Sequence, residues 1–249
     1  MDEENSRGDK IESDGSIDVS ENRFVSWLSN FWYYHKWKVV GALFIIVLLS
    51  VTISQCVSNV KSDTTVMYAG SRNMGKSDFN AVRAAFAEYL PEDFNDDGSF
   101  EVDIAAHNIF SKEQIEDRAD RSKTDTNVIP VNNYVNTTEL RSFDNLVMTG
   151  EYSIMIVEPW LYERVASSGG LRKLADVLGQ TPEGSIDEYA YPLCETRIYL
   201  ENEDLFADFS PDTVVCFRAK GILTDRNGTK YAEQEKLFVS IILGKKRGE

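Results

Sequence analysis

Residues Gly70-Ser71-Arg72-Asn73-Met74-Gly75-Lys76-Ser77 satisfy the pattern G-x-x-x-x-G-K-[ST] at every position. In that pattern, loop N–H groups and a lysine cradle phosphates, and the loop must join a strand to a helix, as this one does on its flanking hydrophobic pattern. Two features oppose a nucleotide site. The apolar run that would supply the magnesium aspartate ends in Glu158 instead. Asp78, directly after Ser77, sets a carboxylate beside any incoming phosphate. The same eight residues also suit a plain strand-to-helix loop with glycines for the turn and Ser77 as N-cap.

A second oxygen-rich stretch, Asp93-Phe94-Asn95-Asp96-Asp97-Gly98, begins like a calcium loop. Asp93, Asn95 and Asp97 take relative positions 1, 3 and 5, with glycine at 6. Ile104 stands where the closing acid belongs, leaving Glu101 or Asp103 as substitutes, so an Asx/Gly turn is the competing reading. Of the three cysteines, Cys194 and Cys216 lie far from the apolar segment described below. They suit either a disulfide in an oxidising compartment or two buried thiols. His107 is the one histidine beyond residue 35, which leaves little for a histidine-based triad or a zinc site. The expectation is a non-enzyme with no cofactor, calcium excepted. Asn136-Thr137-Thr138 and Asn227-Gly228-Thr229 match glycosylation sequons.

These residues hang on a regular alternation of elements. Thr65–Ala69 reads as a strand, and Phe79, Val82, Phe86 and Leu90 mark a helical face closed by Pro91. Ser99–Ala106 alternates as a strand, Lys112–Arg121 reads as a helix, and Thr138–Thr149 reads as another, stopped by Gly150. Ser153–Val157 is a continuous apolar run, as in a strand covered on both faces. Helices follow at Trp160–Ser167 and Leu171–Leu178. Thr196–Leu200, Thr213–Arg218 and Lys236–Leu243 read as further strands. The order predicts an α/β domain over residues 61–249, with a mostly parallel mixed sheet and flanking helices.

Val39–Val60 holds no charged residue, and at ~1.5 Å per residue it makes a helix of roughly 33 Å, enough to cross a membrane. Trp32, Tyr33, Tyr34 and Trp37 crowd one end like an interfacial belt. Phe24, Trp27, Leu28 and Phe31 give residues 23–38 an amphipathic face, and residues 1–22 read as a disordered acidic tail. Gln55 before Cys56 spoils a lipoprotein signal, so the segment is expected to remain as a single-pass anchor. Arg23, Lys36 and Lys38 before it outweigh Lys61 and Arg72 after it, which predicts a cytoplasmic N-terminus and an extracellular C-terminal domain in the cell membrane. That orientation would also take the Gly70–Ser77 loop away from cytoplasmic nucleotide. Formal charge is −15, and the first 38 residues hold eight acids and five bases, so −12 falls beyond them. A domain so acidic is no candidate for nucleic acid.

The stretch FDNLVMTGEYSIMIVEPWLYERVASSGGLRKLADVL, from Phe143 to Leu178, resembles the corresponding part of type 2 periplasmic-binding-like, extracellular solute-binding proteins. There a helix ends in glycine, a strand leads to the ligand cleft, and a small residue–Gly–Leu–x–x–Leu follows. The TVMYAG strand and the helix after it resemble the first β-α unit of the same family. The resemblance spans about Thr65–Leu178 and implies one lobe of such a protein. It implies a cleft lined by Gly70, Ser71, Arg72 and Asn73 and by Glu158, Pro159 and Trp160. On that reading a small solute such as a sugar is the ligand, Trp160 stacks on it, Arg72 pairs with an anionic group, and an envelope or transporter protein is the partner. With about 189 residues after the anchor the lobe is short of a full clamshell. A scaffold or interaction protein with a filled cleft is therefore the alternative reading, ahead of a phosphate loop.

Overall fold

The computed structural model describes residues 19–58, 62–221 and 228–249. The chain divides into two units, Met1–Val60 and Lys61–Glu249. In the first, helix α1 (Val19–Ser58) runs unbroken for 40 residues, about 60 Å at ~1.5 Å per residue. Residues 19–22 belong to it, where disorder was expected; residues 1–18 lie outside those described. Phe31–Ser50 is long and apolar enough to cross a membrane and buries nothing against protein, properties a signal sequence shares. Phe44, Ile45, Ile46 and Leu49 each expose more than half their surface, which water does not tolerate as a contiguous apolar cylinder.

The second unit is a three-layer α/β/α domain. Strands β1 (Thr64–Gly70), β2 (Val102–Asn108), β3 (Ile154–Val157), β4 (Ala190–Pro192) and β5 (Val214–Phe217) form one sheet in the order β2-β1-β3-β5-β4. β1 pairs in parallel with β2 and β3, while β5 is antiparallel to both β3 and β4, so only β5 runs against the rest. One face carries Val66, Tyr68, Ile104, Ile156 and Phe217, covered by α2 (Lys76–Ala87), α7 (Arg197–Glu201), α8 (Glu203–Phe206) and α9 (Gly228–Leu243). The other carries Met67, Met155, Val157 and Cys216, covered by α4 (Asn133–Thr149) and α5 (Pro159–Ser167). α3 (Lys112–Arg121) and α6 (Leu174–Leu178) complete the set. Burial on both faces explains why IMIV is apolar at every position.

Two expected strands are helices. Thr196 opens α7 as an N-cap, its Oγ1 accepting from Tyr199 N at 3.3 Å, although Thr-Arg-Ile-Tyr-Leu alternates like a strand. In α9, Tyr231, Gln234, Leu237, Phe238 and Ile241 are buried at helical spacing. The buried polar residue Gln234 masks that period, and its Oε1 accepts from Ser153 N at 2.6 Å. Gly75, not Ser77, caps α2, so that helix starts earlier than expected.

The Cys194–Cys216 disulfide is not formed; both thiols are free. Cys216 sits inside β5 between Met155 and Ala190, facing the α4–α5 layer, whereas Cys194 lies in a 3-10 turn (Leu193–Glu195) beyond the last β4–β5 pair, Pro192 with Val214. Burial pushes the Cys216 thiol far above its ordinary value. The folded state therefore holds this proton more tightly than the unfolded chain. Its contribution to stability is complete below about pH 8.5, the unfolded thiol value, and is lost as pH rises above it. We expect maleimide to label Cys194 in the native protein and Cys216 only after denaturation. The unfolding midpoint should also fall between about pH 8 and 10 by less in a Cys216→Ala variant. Native labelling of both thiols at equal rates would refute the burial.

Candidate functional site

In an open α/β sheet, the crevice for a ligand forms beyond the carboxyl ends of neighbouring strands whose following helices leave to opposite faces. Here those strands are β1 and β3. The chain after β1 enters α2, whose Val82, Ala85 and Phe86 pack on one face, and the chain after β3 enters α5, whose Leu161 and Val165 pack on the other. Gly70 and Ser71, at the start of the loop after β1, meet Glu158 at this point.

The crevice is filled by the protein itself. Glu158 is 1% exposed. Its Oε1 accepts from Ser71 N and from Ser71 Oγ, each at 2.6 Å, and its Oε2 accepts from Gln114 Nε2 at 2.8 Å. Gln114 is fixed in turn by a capping box at the start of α3, where its Oε1 accepts from Ser111 N at 2.8 Å. Tyr68, also 1% exposed, stands beneath the loop and accepts from Arg72 N at 3.2 Å. Burial, opposed by that N–H and assisted by Glu158, pushes its hydroxyl well above the usual tyrosine value, so it stays a neutral phenol. Arg72 is turned inward as well. Its guanidinium lies 4.5 Å from the Phe209 ring, donates to Leu205 O at 2.8 Å and stands 3.8 and 3.9 Å from Asp78 and Asp208.

These contacts bear on both chemical readings of the loop. Ser71 N is given to Glu158, Arg72 N to Tyr68, and Gly75 N to Asp78 Oδ2 at 3.2 Å. Three of the loop's N–H groups are thus bonded to side chains, and Asp78 sets its carboxylate at the start of α2. Trp160 packs against the α4–α5 side of the core, with its indole N–H buried and unpartnered. Asn73 is exposed on the rim.

Away from the crevice, Asp93, Asn95 and Asp97 turn their oxygens onto their own loop. Asp93 accepts from Asn95 N and Gly98 N, Asn95 from Asp97 N, and Asp97 from Ser99 N and Oγ. The Ser99 bonds hold the Asp97 carboxyl below its ordinary value. Asp63, buried and unremarked in the sequence, accepts from Phe94 N, Asn95 N and Glu101 N and so ties this loop to the start of β1. The segment has the Asx/Gly-turn geometry, and among the described residues no three His, Cys, Asp or Glu side chains are grouped to hold a metal ion. His107 Nδ1 lies 3.1 Å from Glu139 Oε2. Asn136, in the first sequon, is buried and bonds both Phe110 N and Phe110 O; Asn227 lies outside the described residues.

Open space begins on the α3 side of the filled crevice. A cavity of about 600 Å³ is lined by Ser71, Gln114, Arg118, Arg121 and Val128, and a second of about 450 Å³ by Asn73, Asn108, Arg118, Ile129 and Val135. Phe110 and Arg118 border both, with the guanidinium 5.0 Å from the ring. No family model matches the chain, and no curated protein or solved structure matches it either.

Proposed function

We propose that this chain is a single-pass membrane protein whose anchored α/β domain, displayed outside the cell, is a non-enzymatic interaction module descended from a solute-binding-like lobe with its cleft filled. The observation that carries this reading is Glu158, buried at the β1–β3 crevice with both carboxylate oxygens engaged by Ser71 and Gln114. Glu158 and Tyr68 are satisfied by the chain's own side-chain and backbone donors. Arg72, the residue a solute anion would need, is spent on Leu205, Phe209 and two aspartates. The apolar, unburied Phe31–Ser50 segment supports the anchor.

The test uses the full chain in its membrane. A cysteine placed at exposed Lys230, in a Cys194→Ser background, should react with an impermeant maleimide added to intact cells; protection until lysis would reverse the orientation. In nanodiscs, neither common sugars nor ATP should raise the unfolding temperature. A sugar-dependent rise that disappears in Glu158→Gln would restore the solute-binding reading of the crevice, and an ATP-dependent rise lost in Lys76→Ala would restore the phosphate loop.

A further inference from the structure

The cavity beside the filled crevice has unsatisfied chemistry of a definite kind. Arg118 is only partly exposed and lines both chambers, yet among the described residues no carboxylate lies within ion-pair distance of it and nothing accepts from its guanidinium N–H groups. Its one partner is the face of Phe110, which leaves the edge of the guanidinium fork free. The carboxylates around the cavities are each engaged elsewhere. Glu139 meets His107, Asp117 meets Arg121 at 3.5 Å, and Glu113 accepts from Ser111 Oγ at 2.8 Å. A second donor is orphaned in the smaller chamber, where Asn108 Nδ2 is buried with no partner. Asn108 ends β2 directly opposite Gly70 in the parallel register, at the carboxyl edge of the sheet where such folds bind ligands. An unpaired buried donor and an unpaired half-buried cation both cost free energy until an acceptor arrives.

Phe110, Ile129, Pro130, Val131 and Val135 give the smaller chamber an apolar stretch of wall, Asn132, Asn136 and the His107-paired Glu139 line it elsewhere, and Ile129 is 74% exposed at the rim. Its volume of about 450 Å³ lies in the usual range for small-molecule sites. We propose that this chamber binds a carboxylate carried on a compact apolar body, its oxygens taken by the Arg118 guanidinium and the Asn108 amide, its body lying on Phe110 and Ile129. A free branched-chain or aryl acid and the carboxyl end of a peptide with an apolar last residue share this chemistry. The proposal concerns β2, α3 and α4, so its failure would leave the reading of the β1–β3 crevice untouched.

The test is titration calorimetry on the full chain in nanodiscs, with 4-methylpentanoate, its amide, and the peptide Ala-Ala-Leu with a free or an amidated end as probes. The acid or the free-ended peptide should bind with a dissociation constant under about 1 mM, and the matching amide at least roughly tenfold more weakly. Arg118→Gln should weaken the acid by about tenfold or more, whereas Arg141→Gln, an exposed residue of α4 outside the cavity, should not. Asn108→Asp, which puts a carboxylate where the amide donor stood, should weaken it as well, and circular dichroism melts establish that each variant is folded. Tighter binding by the acid identifies a free solute, and tighter binding by the peptide identifies a chain end. No binding of either at about 10 mM would overturn the proposal, as would equal binding of the amides or an unchanged affinity in folded Arg118→Gln.

Discussion

Glu158→Ala is expected to lower the unfolding free energy of the domain by about 3 kcal/mol, because it strands Ser71 N, Ser71 Oγ and Gln114 Nε2 in a buried crevice without an acceptor. Denaturant titration of the full chain in nanodiscs, followed by tryptophan fluorescence, measures it. Glu158→Gln should be milder, about 1 kcal/mol: its amide oxygen still serves Ser71, but its NH₂ group opposes the NH₂ of Gln114. Gln114 cannot simply flip, since its oxygen already accepts from Ser111 N. The double variant Glu158→Gln/Gln114→Glu removes the clash, for the carboxylate introduced on α3 accepts both from the amide introduced in the crevice and from Ser111 N. Its stability should return to within about 0.5 kcal/mol of the parent. If Glu158→Ala costs no more than an exposed substitution, the crevice is not closed by this carboxylate, and the proposed function loses the observation that carries it.

The same network shows where the sequence was readable and where it was not. Helix α3 occupies the predicted Lys112–Arg121, because Ser111 and Gln114 form a capping box three residues apart, a local signal. β1, β3 and the glycine stop of α4 were legible for similar reasons, each set by periodicity or by a residue with one backbone use. The misread helices α7 and α9 depend instead on long-range burial: Ile198 and Gln234 point into a core assembled from distant segments. The site followed the same division. Gly70 and Ser71 meet Glu158, whereas Arg72 turns to Leu205 and Phe209 and Asn73 stays exposed on the rim. That Glu158 fills the space instead of lining it depends on Gln114, whose reach across 44 residues of chain no local pattern encodes. Arg118 and Asn108 went unnoticed because their distinction is the lack of a partner, which exists only in three dimensions.

Gly70→Ala should be the most disruptive small substitution in the loop, costing about 3 kcal/mol by overpacking. The backbone at Gly70 is not in the left-handed region, so the residue is not needed for conformational freedom. It is needed for space: a Cβ there would stand 2.6 Å from the Tyr68 hydroxyl and 2.8 Å from Glu158 Oε1. Neither neighbour can retreat, since both are buried and hydrogen-bonded. Tyr68→Phe deletes the nearer atom, so in the Gly70→Ala background it should be less damaging than in the parent, with a coupling of about 1 kcal/mol. Additive effects in that double-mutant cycle, read by the same denaturant titration, would break the argument. The outcome also separates the two uses of this glycine. In a phosphate loop its purpose is to admit a ligand, and substitution would weaken nucleotide binding while leaving the empty protein intact. Here the space is taken by the chain's own phenol and carboxylate, so the loss belongs to folding and occurs with no ligand added.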